Sequence, residues 1–367
     1  MRKNALESRH RALGSDLGGG SYNDMAVPWS YARDPFDEVA ATRTRAGLFD
    51  LSAVLTAHVK GPDAAAVVDH LLSCDCHALA VGSARVGSEL NDAGHIVDDI
   101  IVLRAADDAF LLCHGGGATP ANVRESADGR DVEVSWDDDL NILALQGPRA
   151  AKLLQPHCAL DLSGLKWFDH AETKLFGREV RILCGGFTGE HGFEVYCRAA
   201  DAAHLWDAMV DAGSAHGLLP GSWTALNALR TEAGLLFYPL DMPEGDVTPW
   251  EVGLGWTITD KGDYRGSAAV LAAKGKERFR LGGVWVKHKA AVEAGTTILV
   301  NGEDAGLVTS PVYSRFLMQS IALAHLKPGA QALGTAIQLK TPDGSVHDGN
   351  VVRCPFYDPM RLRIARH

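Results

Sequence analysis

Residues able to do chemistry concentrate in Asn91-Asp92-Ala93-Gly94-His95-Ile96-Val97-Asp98-Asp99-Ile100-Ile101-Val102. A polar turn around Gly94 runs into two acids set directly against the apolar run Ile100 to Leu103, which reads as a buried strand. Carboxylates so placed can carry protons or balance a cation. They serve equally well as turn formers that accept backbone N–H groups. The stretch Tyr22-Asn23-Asp24-Met25-Ala26-Val27-Pro28-Trp29 gathers two aromatics, a thioether and an amide, a mixture that suits a pocket wall or plain core packing. Gly115-Gly116-Gly117, at the end of the strand Asp108 to His114, either opens the backbone to a ligand or only turns the chain. Cys74-Asp75-Cys76-His77 has no answering Cys/His pair at zinc spacing, and no His-Glu-x-x-His helix occurs, so no metal is expected.

These residues need elements to hold them. Pro35, the acids Asp37 and Glu38, the basic Arg43 and Arg45 and the stop Gly47 predict a helix over 35–47. Further helices are predicted over 63–72, 148–154, 202–216 and 224–233, the second of these after the strand Ile142 to Leu145 and the turn Gln146-Gly147-Pro148. The segment 174–197 reads as strands around Gly177 followed by a glycine-rich return. Strict βαβ spacing and a Gly-x-Gly-x-x-Gly fingerprint are both missing, which disfavours a dinucleotide fold and leaves mixed α+β domains. From residue 279 the texture becomes short β segments punctuated by Asn301-Gly302, Lys327-Pro328-Gly329 and Pro342-Asp343-Gly344, the pattern of a small antiparallel barrel or sandwich. Lys274 to Arg278 reads as the linker.

Composition narrows the class. A chain of 367 residues is long enough for more than one core, since single cores stop growing near ~250–300 residues. Its formal net charge of −11, without a long basic run, argues against nucleic acid or an anionic membrane as main partner. The seven scattered cysteines suit a reducing compartment. With no apolar run near the ~20 residues a bilayer span needs, the expectation is a cytoplasmic protein.

Several motifs in fixed order then carry a resemblance. They are Ala46-Gly47-Leu48-Phe49-Asp50-Leu51-Ser52, Asn91…Gly94…Asp98-Asp99, Ala144-Leu145-Gln146-Gly147-Pro148, Phe187-Thr188-Gly189-Glu190-His191-Gly192-Phe193-Glu194, Leu229-Arg230-Thr231-Glu232-Ala233-Gly234 and Val308-Thr309-Ser310. Together the chain resembles the aminomethyltransferase (glycine cleavage T-protein) family, whose relatives include tetrahydrofolate-dependent demethylases. The resemblance implies an α+β fold: a three-domain clover-leaf with a C-terminal antiparallel β-barrel, around a central folate channel. The expected division is 1–50 with 139–245, 51–138 with 246–278, and 279–367.

The same resemblance implies site residues. Asp98 matches the family's catalytic aspartate, and Glu194 the glutamate that holds the pterin ring, whose edge offers N–H donors that one carboxylate accepts in parallel. Phe187, His114 and Arg230 are expected on the cofactor side; Tyr22, Trp29, Tyr31 and His95 are expected to contact the one-carbon donor, with aromatic faces suited to a methylated cation. Departures from the family pattern matter too. His95 follows Gly94 where a second glycine is usual, Leu226 replaces an arginine that clamps the folate tail, Val86 replaces a tyrosine, and Cys113-His114 replaces Val-Asn. Arg353, Arg361 and Arg363 are candidate replacements for the lost cation.

The altered site, with the Tyr22-Asn23-x-Met25-x-x-Pro28 opening similar to that of dimethylsulfoniopropionate demethylase, points to a stand-alone demethylase. Such an enzyme moves a methyl group from a small N-, O- or S-methylated donor to tetrahydrofolate. Aminomethyl transfer from a lipoyl carrier protein is the alternative, less favoured. A non-catalytic folate-binding assembly protein ranks last, because the Lys-Gly-Cys-x-x-Gly-Gln-Glu motif of that branch does not occur.

Overall fold

The computed structural model describes residues 2–364. Two open sheets and a closed barrel make up the fold, with a small ribbon, Ser21–Tyr22 and Met25–Ala26, near the start. The first sheet has the order His170–Leu175, Arg178–Cys184, Gly192–Arg198, Leu140–Gln146, Gly47–Asp50, Leu219–Gly221. Only Leu219–Gly221 runs parallel to its neighbour. Side chains alternate along Leu140–Gln146 as strand geometry dictates. Leu143 and Leu145 pack with Leu205, Trp206 and Met209 of the helix Ala199–Ser214, while Ile142 and Ala144 serve the opposite face.

The second sheet has the order Ala84–Leu90, Ile96–Ala106, Ala109–His114, Leu55–Lys60, Glu133–Trp136, antiparallel throughout. Helices Ala64–Leu71 and Thr119–Ala127 cover one face over Ala57, Val59, Ile100, Val102 and Leu112. From the other face Leu103, Leu111 and Cys113 join Phe49, Ile142, Leu183, Tyr196 and Leu226 in one cluster. This seam between the sheets is where the site lies.

The barrel closes in the order Arg280–Val286, Gln319–Leu326, Glu303–Ser314, Thr297–Val300, Ala336–Lys340, Val346–Val352. Its interior is filled by Val284, Ile298, Val308, Ala324, Leu339 and Val351, so it is a packed core rather than a pore.

The helix expected over 35–47 runs Pro35–Thr44, opened by Asp34, whose side chain accepts from Phe36 N at 2.9 Å. Gly47 does not stop it; it opens the strand Gly47–Asp50. A Cβ there would stand 2.2 Å from Thr42 Oγ1 and 2.9 Å from the Phe49 ring, so close packing selects the glycine. Arg43, fully buried, ties this helix to the rest: it donates to Glu190, to Glu232 and to the carbonyls of Thr188 and Leu229, and lies over the Tyr357 ring. Among the described residues no helix is long and apolar enough to cross a membrane, and no group of His, Cys, Asp or Glu is arranged to hold a metal.

Candidate functional site

A cavity of about 640 Å³ opens in the seam, with Asp98 from the second sheet and Glu194 from the first both in its wall. The turn before Asp98 is built locally. Asn91 accepts from Ala93 N and His95 N, each at 3.0 Å, and Gly94 takes φ +76° where a Cβ would strike the Val270 backbone. The strand that follows carries Asp98 into complete burial.

Two backbone amides fix its carboxyl. Gly115 N donates to Oδ2 at 2.6 Å and Asp99 N to Oδ1 at 2.8 Å. Burial pushes the Asp98 carboxyl up to about 7; the Gly115 amide opposes this and the nearby Glu89 charge reinforces it. Asp99, also in the wall, is held well above the usual carboxylate range by burial and then by Asp98. Proton exchange near neutrality is therefore within reach of Asp98.

Glu194 stands on Gly192–Arg198 opposite Ala144, and Tyr196 on the same face stands opposite Ile142. Tyr196 OH donates to Glu194 Oε2 at 3.1 Å. Burial lifts the Glu194 carboxyl to about 7, with the Tyr196 bond pulling the other way. Phe187, Trp167 and Phe168 supply aromatic wall beside it. A flat, N–H-bearing ring matches that combination of carboxyl and aromatic surface.

His114, the last residue of its strand, is in the wall with 1% exposure, and neither ring nitrogen has a hydrogen-bond partner of normal geometry. Burial lowers it to about 4, so its imidazole is neutral at physiological pH. Tyr22 lines the cavity and packs on Trp223 and Phe237, with ring centroids 5.4 and 5.5 Å away. Burial, then Asp98, raises its phenol above the ordinary value. Tyr22 OH, the Tyr238 ring and Asp98 Oδ1 all converge on Gly115: a Cβ there would lie 2.7, 2.8 and 3.3 Å from them.

Other expected site residues are held elsewhere. The Tyr31 hydroxyl is paired with His10 Nδ1 at 2.9 Å, and that histidine bonds Asp50 at 2.9 Å, so Tyr31 locks the N-terminal segment rather than facing the cavity. His95 is likewise outside the wall, its Nδ1 2.9 Å from the Gly245 carbonyl. Trp29 borders a separate hollow of about 90 Å³ shared with Phe187, Trp223, Leu226, Phe237 and Arg230. The Arg230 guanidinium is taken up by Asp241 at 2.5 Å, Ser310, Asn227 and the Leu235 carbonyl, so it braces the helix Trp223–Glu232 against the barrel. Burial lowers its pKa from the usual arginine value, against the pull of Asp241.

Val86 and Leu226 are both in the cavity wall. Of the three candidate cations, Arg361 lines the cavity, while Arg353 and Arg363 lie against Met360 and the Tyr357 ring. Trp223, Phe237, Tyr238 and Tyr196 went unrecognised in the sequence. Tyr196 had a signal, the period of two from Glu194; the others sit among apolar residues of ordinary core appearance.

Residues 6–261 match the family described as GCVT N-terminal domain, and residues 280–358 the glycine cleavage T-protein C-terminal barrel domain. The chain is 39% identical to the heme-dependent oxidative N-demethylase gamma subunit of Ectopseudomonas mendocina (strain ymp), over 99% of this chain and 97% of that one. It is 36% identical to an aminomethyltransferase of Anoxybacillus flavithermus, over 96% of each. The crystal structure of the glycine cleavage system aminomethyltransferase T from Bartonella henselae superposes with a TM-score of 0.89 at 26% identity, covering 97% of this chain and 98% of that one.

Proposed function

The chain belongs to the glycine cleavage T-protein family, and we propose that it is a demethylase, stand-alone on the reading of its altered folate-tail position Leu226. It moves a methyl group from a small methylated donor to tetrahydrofolate. The observation that carries this reading is the shared cavity of Asp98 and Glu194, acids distant in sequence and placed on different sheets. The similarity to a protein named as an N-demethylase subunit favours nitrogen as the donor atom.

Tetrahydrofolate, when bound, supplies the nitrogen that receives the one-carbon unit. Glu194, oriented by Tyr196, accepts N–H donors of the pterin edge, and Phe187 flanks the ring. Asp98, fixed by the Gly115 and Asp99 amides, holds or takes a proton at its carboxyl and offsets positive charge on the donor. Tyr22, Trp223 and Phe237 present aromatic surface to a methylated cation. His114 completes the wall as a neutral hydrogen-bonding group, and Arg361, which lines the same cavity, would meet carboxylates of the folate tail where Leu226 cannot. The apolar remainder, Leu51, Val86, Ile101 and Leu183 among it, keeps water from the reacting carbon.

A calorimetric titration with tetrahydrofolate tests the cofactor, and a screen of methylated donors for 5-methyltetrahydrofolate tests the reaction. Binding by the wild type that is unchanged in Glu194→Ala would overturn the pterin assignment. A second reading, aminomethyl transfer from a lipoyl carrier protein, is favoured by the several relatives named aminomethyltransferase. It predicts measurable binding of that carrier.

A further inference from the structure

On the strand beside Asp98, and outside the cavity wall, stands a second buried acid. Glu89 is the register partner of Asp98 between Ala84–Leu90 and Ile96–Ala106. Residues directly opposite in an antiparallel pair project to one face, with Cβ atoms about 4.5–5.5 Å apart, and like charges there repel. Bulk water screens this pair far less than a surface pair, because Glu89 and Asp98 are both at 0% exposure.

The two carboxyls are held differently. Thr119 Oγ1 donates to Glu89 Oε2 and Asn122 Nδ2 to Oε1, both at 2.5 Å. Side-chain donors on each oxygen favour the ionised form of Glu89. Asp98 has only backbone amides and opens on the cavity, which Glu89 does not reach.

We propose that Glu89 and Asp98 share one proton at neutral pH, with Glu89 keeping the charge. Glu89 is thereby a positioning residue that makes Asp98 a carboxyl able to give and retake a proton, instead of a fixed counter-charge. The proposal rests on the reading of Asp98 as the reacting acid. Burial raises both groups, and Thr119 and Asn122 draw Glu89 back down. The other groups facing the pair are Asp99 on the same strand, Glu244 and Arg265, which act on Glu89 with opposite sign, the Tyr22 and Tyr238 phenols, and the neutral His114. None of them stands opposite Asp98 in the strand pair as Glu89 does.

The test is an NMR titration of ¹³Cγ-aspartate-labelled full-length protein, with the Asp98 signal assigned by its loss in Asp98→Asn. Glu89→Gln removes the opposing charge and is expected to lower the Asp98 midpoint by about one pH unit, tenfold in acid constant. Thr119→Val, which leaves Glu89 in place but less able to stay ionised, is expected to move the midpoint the same way by less. A merely structural role would change the melting temperature and leave the midpoint where it was. An unmoved or raised midpoint in Glu89→Gln overturns the proposal; should that variant not fold, Thr119→Val decides. No folate or donor is needed, so failure of the wild type to bind tetrahydrofolate is a separate result.

Discussion

The Gly115 amide reaches Asp98 Oδ2 at 2.6 Å through a gap that only a residue without a Cβ leaves open. Tyr22 OH and the Tyr238 ring close the other sides of that gap. Gly115→Ala is expected to cost about 1–3 kcal/mol of stability from overpacking. It should also lower turnover more than tetrahydrofolate affinity, because the displaced groups surround Asp98. Thermal melts and calorimetry on the one variant separate the two effects.

Asp98→Asn keeps the shape of the side chain and removes its charge and its proton. Tetrahydrofolate binding is expected to persist while 5-methyltetrahydrofolate formation falls roughly 10²–10³-fold, the scale of one lost transition-state contact. Turnover equal to wild type would remove Asp98 from the mechanism.

Glu194 gives a pH dependence of defined sign. Its folded carboxyl titrates at about 7, above the ordinary glutamate value, so between those two points the folded state binds more protons than the unfolded. Ligand-free stability attributable to this group is complete in acid and declines as pH rises toward 7. Glu194→Gln is expected to be more stable than wild type at alkaline pH, by up to about 3 kcal/mol, and to converge with it in acid. Thermal melts across pH check that convergence, and a gain confined to acid would contradict the burial argument.

Arg43 is the sole cation bonded to both Glu190 and Glu232 among the described ion pairs. Arg43→Met takes the bonded cation from two buried carboxylates and is expected to cost about 3–5 kcal/mol. Arg43→Lys should recover little, since one ammonium cannot reproduce a guanidinium that also donates to the Thr188 and Leu229 carbonyls. Chemical denaturation measures both.

His114 is expected to remain neutral through the physiological range, with a ring ¹⁵N titration midpoint near the acid end set by its burial. A midpoint at the ordinary histidine value would mean that water reaches the ring.

Much of the architecture was legible because its signals are local. The barrel strands announce themselves through short apolar runs and turn pairs, and the acid doublet at Asp98 stands out against Ile100 to Leu103. Glu194 needed the motif around it, since on its own a hairpin acid looks like surface. Tyr31 and His95 misled for the opposite reason: their partners, His10 and the Gly245 carbonyl, are fixed by tertiary packing that no window of sequence displays. Glu89 escaped notice because a strand acid reads as the exposed side of an alternation until the facing strand and the helix Thr119–Ala127 are seen to cover it.

The cavity wall draws on Tyr22 near one end of the chain and on Arg361 and Ile364 near the other. A fragment that begins after Tyr22 or ends before Arg361 therefore lacks part of that wall. During synthesis Tyr22 emerges long before Arg361, so the wall is complete only once segments made far apart in time have met in the folded chain.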